Sequence, residues 1–505
     1  MKLRRLGPLL ILLFAAASSL LAQDLASFEK RVAVHKLSNG LTVVLCRRPE
    51  APVFSFNLFV DAGSAQDPKG KTGIAHMMEH MAFKGTPTIG TKNYTKEKVA
   101  LAKVELAYAA YQREKLKRVN RNDKLMMQLE DEWKKAIGEA NQYVIPNQFG
   151  EIVEREGGAG MNAGTAEDDT QYYYSMPINR LELWAYIESD RLAHPVMREF
   201  YKERDVVIEE RRMRTDSSPT GRLVEQFLGT AFDASPYHRP TIGYQSDLDN
   251  FSATDALEFY HRFYVPSNMV LAVVGDVDPK TAIPIIDKYF GRIPSGPKPE
   301  EYATAEPPQN SERQVVLHDP SQPFYVEGYH RPDYLNPDDA VFDAITDILS
   351  NGRTSRLYRS MVRDKKIAAV AGGFSGFPGT KYPHLFAFYA VPLPGHTPDE
   401  MRDAIHAEIE RLKTSDVTDE ELEMMKTRAK ASLIRSLDSN SGLAGMLSIE
   451  QARYGDWREL FREVDRIEKV TKQDIRRVAN KTFNANNRTV GVLETKPLQN
   501  QKEAQ

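Results

Sequence analysis

Residues 62–86 read AGSAQDPKGKTGIAHMMEHMAFKGT, and the parsing of this stretch decides the fold. The glycine-bearing segment 69–73 leads into a helix predicted over 74–83. On that helix His76 and His80 stand at i and i+4 and so share one face. Two imidazoles one turn apart can both reach a single zinc ion. Glu79, beside His80 and three residues from His76, is placed to hold a water molecule. A carboxylate there is what water activation requires, because it takes the proton and returns it to the leaving amine. With 11 His and 70 acidic residues in 505, the pattern His-x-x-acid-His is expected only about 0.03 times per chain. It therefore carries information.

Upstream of the helix, residues 32–47 read as a strand, a turn at Ser38-Asn39-Gly40 and a second strand over 41–46, since Asn-Gly between apolar runs is a strong hairpin signal. A further strand is predicted over 54–60. Downstream, residues 95–140 are rich in Lys, Glu, Ala, Leu and Gln and contain no proline. They read as a helical hairpin, with Leu101, Val104, Tyr108 and Tyr111 on one face of the first arm and Met126, Leu129, Trp133 and Ile137 on one face of the second. Such an arm either packs on its parent domain or serves as a contact arm for a partner subunit. Glycines at 150, 157, 158, 160 and 164 then flank a polar and aromatic run, 162–175, read as a strand. Helices are predicted over 179–192 and 197–214, and a buried-type strand over 270–274 is closed by a turn at Gly275 and Asp276.

The run 295–314, with four prolines and few apolar residues, reads as an interdomain linker. Beyond it the opening repeats in outline. Val315-Val316-Leu317 with prolines at 320 and 323 parallels Val43-Val44-Leu45 with prolines at 49 and 52, and each copy continues with a strand and a helix. The helix of the second copy, 338–349, has no histidine pair, so the chemistry is not duplicated. The expected organisation is an export signal over 1–23, a first half over 24–295 with the hairpin inserted at about 95–145, a linker over 296–313, a second half over 314–495 and a tail over 496–505.

Lys2, Arg4 and Arg5 precede an apolar stretch over 9–21 followed by small residues, which is the pattern of a secretory signal. The stretch is shorter than the roughly 20 residues that span a bilayer. The chain is therefore expected to be exported, periplasmic or secreted, with no membrane span in its mature form. Its single cysteine, Cys46, lies in an apolar run and reads as a small buried hydrophobe, so stability outside the cytosol would not depend on oxidation. With Lys+Arg 67 against Asp+Glu 70 and a net charge of -3, nothing attracts the chain to nucleic acid.

A catalytic zinc takes three protein ligands and leaves a fourth position open. The helical run 203–210 supplies a third candidate, because Glu203 and Glu210 sit two turns apart on one face. One of the two carboxylates would bind the metal while the other orients a ligand histidine.

His-x-x-Glu-His is the inverted zinc-binding motif, and its setting resembles the M16 or insulinase-type metallopeptidases, the group of pitrilysin and mitochondrial processing peptidase. The segments SNGLTVVL, NAGTAEDDTQYYY, ERDVVIEE, PYHRPTIGYQSDL, FYHRFYVPSNMVLAVVGDVD and NGRTSRLY are similar to family segments in the expected order, over nearly the whole chain. The resemblance implies an α+β fold of two homologous domains, each a mainly antiparallel β-sheet flanked by helices, which form one side of a chamber. It also implies one Zn2+ per chain, held by His76, His80 and Glu210, with Glu203 behind them and Glu79 as the catalytic base. Asn162 and Ala163 match the family's edge-strand segment, where an extended peptide adds to an open sheet edge through main-chain hydrogen bonds.

Two departures stand out. Glu210 lies 130 residues after His80, longer than the family's usual gap, and the surplus coincides with the helical hairpin. The family also completes its site with an Arg and, seven residues later, a Tyr that bind the substrate carbonyl. Here Arg363 fits, but Val370 stands where the Tyr belongs, and a valine cannot donate to an oxyanion. The expectation is an exported zinc endopeptidase acting on peptides or unfolded polypeptides, its site completed by an M16-like partner subunit in a heterodimer or homodimer. Tyr358 and Tyr382 are the substitutes within the chain. The alternatives are a non-catalytic M16-like assembly subunit and a dedicated processing protease for one substrate.

Overall fold

The computed structural model describes residues 25–496; the predicted export signal and all but the first residue of the predicted tail lie outside them. Val32–Lys36 (β1) and Thr42–Arg47 (β2) pair antiparallel across the Asn39-Gly40 turn. Gly40 takes φ +102° there, a conformation that strains any residue with a Cβ. With Val53–Val60 (β3), Ala159–Thr165 (β4), Thr170–Pro177 (β5) and Met269–Gly275 (β6), these strands form a sheet of order β1-β2-β6-β3-β5-β4. Only β2 and β6 run parallel.

The second sheet contains Arg313–Asp319 (β7), Phe324–Arg331 (β8), Ala368–Phe377 (β9), His384–Pro392 (β10) and Arg488–Thr495 (β11) in the order β7-β11-β8-β10-β9. Once β1 is set aside the two orders match strand for strand. The single parallel pair, β7 with β11, falls at the equivalent place. The repeated Val-Val-Leu is thus the same strand twice, since Val43 faces Leu271 and Val315 faces Gly491 across the parallel pairs.

The helices that matter for the site are Ile74–Met81 (α1), the hairpin Tyr94–Lys115 (α2) and Asp123–Asn141 (α3), then Leu181–Ala193 (α4) and Phe200–Arg211 (α5). Alternation along the strands sends Val43 and Leu45 to one face, where they join Phe54, Phe56 and the buried sides of α1 and α4. Val44 and Cys46 point to the other face, and this face is covered by the second half: Leu443, Ala444 and Leu447 of Asn440–Tyr454 pack on it. The exchange is reciprocal. Leu223, Phe227 and Ala231 of Pro219–Ala231 cover Val326, Leu385 and Leu493 of the second sheet. Each half therefore lends a helix to the other, and neither sheet is buried on both faces without it.

The hairpin packs on its parent half. Val104, Tyr108 and Trp133 are buried in the first core together with Tyr201, with the Tyr108 and Trp133 rings 5.0 Å apart.

Two expectations are corrected, at 162–175 and at 197–214. The run 162–175 is two strands, because the acidic residues between β4 and β5 turn the chain: buried Asp168 accepts hydrogen bonds from Tyr237 Oη (2.5 Å) and from the N–H groups of Thr380 (2.7 Å) and Lys381 (3.0 Å), stapling the two halves. The segment between the halves holds no helix or strand, as a linker should, and it is fastened along its length. The Glu306 carboxylate accepts from the N–H groups of Asp233, Ala234 and Ser235 at 2.7–2.9 Å, and Glu301 pairs with Lys381 at 3.0 Å. The helix predicted over 197–214 starts at Phe200, where Glu199 at φ +58° breaks the chain direction, and after Arg211 it loosens into a wider turn over 212–216.

Candidate metal centre

Helix α1 starts where it does because Asp67, buried six residues ahead, accepts from the Gly73 N–H (2.7 Å) and the Ala75 N–H (3.0 Å). Two donors left free at the helix start are thereby satisfied. Gly73 itself sits at φ +90°, and a Cβ there would come 2.5 Å from the Ile242 carbonyl oxygen, so only glycine fits. Ile74, Met77, Met78 and Met81 are buried in the core and fix the rotation of the helix. His76 and His80 are then turned toward α5, their rings 4.9 Å apart and nearly perpendicular.

Glu210, near the end of α5, completes the group. Its Oε2 lies 3.7 Å from His76 Nε2 and 3.6 Å from His80 Nε2. Those separations are too long for hydrogen bonds. They are close to the roughly 3.4 Å expected between two ligands that share one ion at about 2.0–2.1 Å in a tetrahedral arrangement. Two imidazole nitrogens and one carboxylate oxygen, all within 4.8 Å of one another, are a donor set that suits zinc. Among the described residues this is the one cluster of three or more such donors that could hold a metal ion.

Glu203 takes the outer position. Its Oε2 lies 3.5 Å from His80 Nδ1, the ring nitrogen facing away from Glu210. Its other oxygen is paired with Lys84, which also reaches Glu199 at 3.6 Å. Burial works against the Glu203 charge, but His80 and Lys84 hold its carboxyl down to about 2. Burial, with His80 and Arg214 close by, pushes His76 down to about 3 and keeps it a neutral imidazole with a free lone pair. Burial also disfavours the charged form of His80, yet the carboxylates of Glu203, Glu79 and Glu210 raise it overall.

Glu79 points to the end of β4, where the Thr165 hydroxyl and N–H lie against its carboxyl. Burial, with some help from the Glu210 charge, lifts that carboxyl above the ordinary range despite Thr165. A cleft of about 620 Å³ opens over this region. His76, Thr165 and Arg214 line it from the first half, Phe377 and Pro378 from the second.

The structure brings His76, Glu79, His80, Glu203 and Glu210 together. Asn162 and Ala163 lie on β4, which pairs only with β5 and so leaves one edge open. Arg363 is not brought to the group. Its guanidinium is exposed and pairs with neighbouring Asp364 at 2.6 and 3.0 Å, because the turn that carries it belongs to the second half, ahead of β9. Val370 is 40% exposed on edge strand β9. Of the two substitutes, Tyr358 is half-buried at the start of the same turn. Tyr382 donates to Glu301 at 3.2 Å and packs on Tyr237 and Tyr302 at the seam between the halves.

Three contacts were not read from the sequence: Asp67 at the start of α1, Thr165 beside Glu79, and Lys84 on Glu203. Only the last had a local signal, since Lys84 is four residues from His80. In the second half, the helix equivalent to α1, Asp339–Ser350, carries Asp343 and Asp347 at i and i+4. Asp347 pairs with Arg428 of Asp419–Ser436 at 2.9 Å, so an ion pair between the two helices replaces a metal-ligand set.

Comparison with known proteins follows the same outline. The family model described as insulinase (peptidase family M16) matches residues 42–115, and that described as the peptidase M16 inactive domain matches residues 250–429. Glu203 and Glu210 lie outside both segments. The chain is 28% identical over 455 residues to the zinc protease PqqE of Helicobacter pylori, covering 88% of each protein. It is 23% identical over 454 residues to an uncharacterised zinc protease of Mycobacterium leprae, covering 89% of this chain and 88% of that relative. The crystal structure of a protease from Helicobacter pylori aligns with a TM-score of 0.76 at 27% identity, over 92% of this chain and 99% of that one.

Proposed function

The chain belongs to the insulinase (M16) family, and on that premise we propose that it is an exported zinc endopeptidase that hydrolyses peptides or unfolded polypeptides. The observation that carries this reading is the convergence of His76, His80 and Glu210 within 4.8 Å, with Glu79 on the same helix. His76, His80 and Glu210 would hold the ion, one per chain, and Glu203 would fix the His80 ring through Nδ1. A bound zinc supplies Lewis acidity that lowers the pKa of a water and polarises a peptide carbonyl. Glu79 accepts the proton of the attacking water on its carboxylate and delivers it to the leaving amide nitrogen. The open edge of β4 at Asn162 and Ala163 would align the peptide main chain as an added strand, with its path leading to Thr165 and Glu79.

The oxyanion side is expected to be supplied by an M16-like partner carrying an Arg and Tyr pair, because Arg363 is engaged with Asp364 and Val370 has no donor. Cleavage of a quenched fluorescent peptide by the mature chain, alone and mixed with a co-exported relative, tests this. Activity only in the mixture is expected. Activity from the chain alone would remove the partner and direct attention to Tyr358 and Tyr382; no activity in either, with zinc bound, would favour a non-catalytic assembly subunit or a processor of one substrate.

The role given to Glu203 has its own test. Glu203→Gln is expected to weaken zinc binding about 10- to 100-fold, the usual effect of removing a carboxylate behind a ligand histidine, as read by chelator competition. Unchanged affinity would leave Glu203 as no more than the partner of Lys84.

A further inference from the structure

Helix α5 is used on two sides. Glu203 and Glu210 face α1, whereas Val206 (46% exposed) and, just past the helix end, Met213 (61% exposed) face the inserted helical hairpin. Between α5 and α3 lies an open groove of about 780 Å³, walled by Trp133 and Ile137 from α3 and by Tyr201, Val206 and Met213 from the α5 side. Glu210, held by Arg214 at 3.0 Å, is itself among the residues that line the groove. Arg214 also lines the cleft that contains His76 and Thr165, so the groove and that cleft adjoin at the Arg214–Glu210 pair.

From Tyr201 to Met213 the α5 side spans roughly 18 Å at about 1.5 Å per helical residue, the reach of five or so residues of extended peptide. The rim residues Lys134, Lys202, Asp205 and Glu209 balance in charge, so the groove selects for apolar surface and not for a charge sign. Exposed apolar side chains gathered beside a reaction centre mark a binding surface, and here Trp133, Lys134 and Ile137 of the wall come from the insertion that lengthens the gap between His80 and Glu210.

We propose that the helical hairpin is a specificity element: with α5 it forms a subsite that takes a large apolar side chain of the peptide substrate next to the metal centre. This rests on the peptidase reading. Trp133 and Tyr201 are core residues, so the informative substitutions are at exposed Val206 and Met213.

The experiment has three arms. Rates are compared for quenched peptides carrying Leu or Ala at each position around the cleaved bond, using the wild type and the double variant Val206→Glu/Met213→Glu, each alone and mixed with the co-exported relative. Binding of the same peptides, labelled for anisotropy, is measured on Glu79→Gln protein with and without the double substitution. Sedimentation gives the mass of each protein, and a melt shows that the variants fold. At one position Leu is expected to be preferred over Ala about tenfold or more, and the double substitution should reduce that ratio to about twofold or less. Val206→Ile/Met213→Leu should retain the preference.

A Leu/Ala ratio that survives the double substitution at every position overturns the proposal. If the wild type cleaves nothing even in the mixture, the peptidase reading fails, and the binding arm then decides the groove by itself. A Leu advantage lost on substitution keeps the groove as a peptide site, and an unchanged one removes it. A dimer that the double substitution splits into monomers would assign the groove to a second copy of the chain and overturn the subsite.

Discussion

Glu79→Gln is expected to lower kcat for peptide cleavage by about 10²- to 10⁴-fold, the range for removal of a positioned general acid and base, while zinc uptake remains. The amide is nearly isosteric with the carboxyl and can still accept from the Thr165 hydroxyl and N–H that flank Glu79, but it cannot take a proton from water. His76, His80 and Glu210 are untouched, so stoichiometric zinc should persist in the variant by direct metal analysis. That separation of readouts matters. Loss of activity together with loss of metal would mean that Glu79 is structural, and full activity in a metal-loaded variant would remove it from the reaction altogether.

The second large effect is on stability. Arg198→Ala is expected to cost about 3–5 kcal/mol, the usual result of stranding one partner of a buried ion pair. Arg198 is 1% exposed, and its Nε and Nη2 bind the two oxygens of fully buried Glu97 at 2.5 and 2.9 Å. Its remaining donors reach the carbonyls of Lys84 (2.5 Å), Thr86 (3.1 Å) and Ile89 (3.1 Å). One guanidinium thus ties the first turn of α2, the loop leaving α1 and the entry to α5. Arg198→Lys should recover little, because an ammonium cannot form the planar fork, whereas Arg198→Leu with Glu97→Leu should recover more than either single change. Denaturant midpoints of the four proteins check this. A loss below about 1 kcal/mol in Arg198→Ala, the level of an exposed pair, would show that the hairpin is held by its aromatic contacts alone.

The clamp also explains how an insertion of two helices leaves the metal centre intact. The hairpin begins and ends at neighbouring points, with Thr91 bridged to Val144 and the Ile145 N–H donating to the Gly90 carbonyl at 2.9 Å. The chain therefore re-enters the parent fold where it left it, and α5 meets α1 as though the insertion were absent. The same hairpin is not passive in the surface it offers, since its Trp133 and Ile137 line the same groove as Glu210.

Local features of the site were legible. The spacing of His76, Glu79 and His80 within one helix and the Asn39-Gly40 turn depend on periods of two to four residues, and the recurrence of Val-Val-Leu needs only the comparison of two short segments. Those periods are set by backbone hydrogen bonding wherever the segment folds. By spacing alone Glu203 and Glu210 were legible only as a pair, because two turns of separation place both on one face whichever of them meets the metal; the family resemblance is what told them apart. The reading of 162–175 as one strand failed at Asp168, whose partners Tyr237, Thr380 and Lys381 come from 69 to 213 positions away.

What the sequence determined by itself is therefore the metal helix, its two histidines and base, and the doubling of the fold, all written in short-range patterns that no distant contact has to complete. What only the tertiary structure decided is that Lys84 and Thr165 stand against Glu203 and Glu79, that Arg363 pairs with Asp364, and that each sheet is covered by a helix of the other half. These depend on the relative placement of elements far apart in the sequence. That placement is set by the burial of whole faces and by the pairing of buried charges such as Arg198 and Glu97, and neither leaves a period in the sequence.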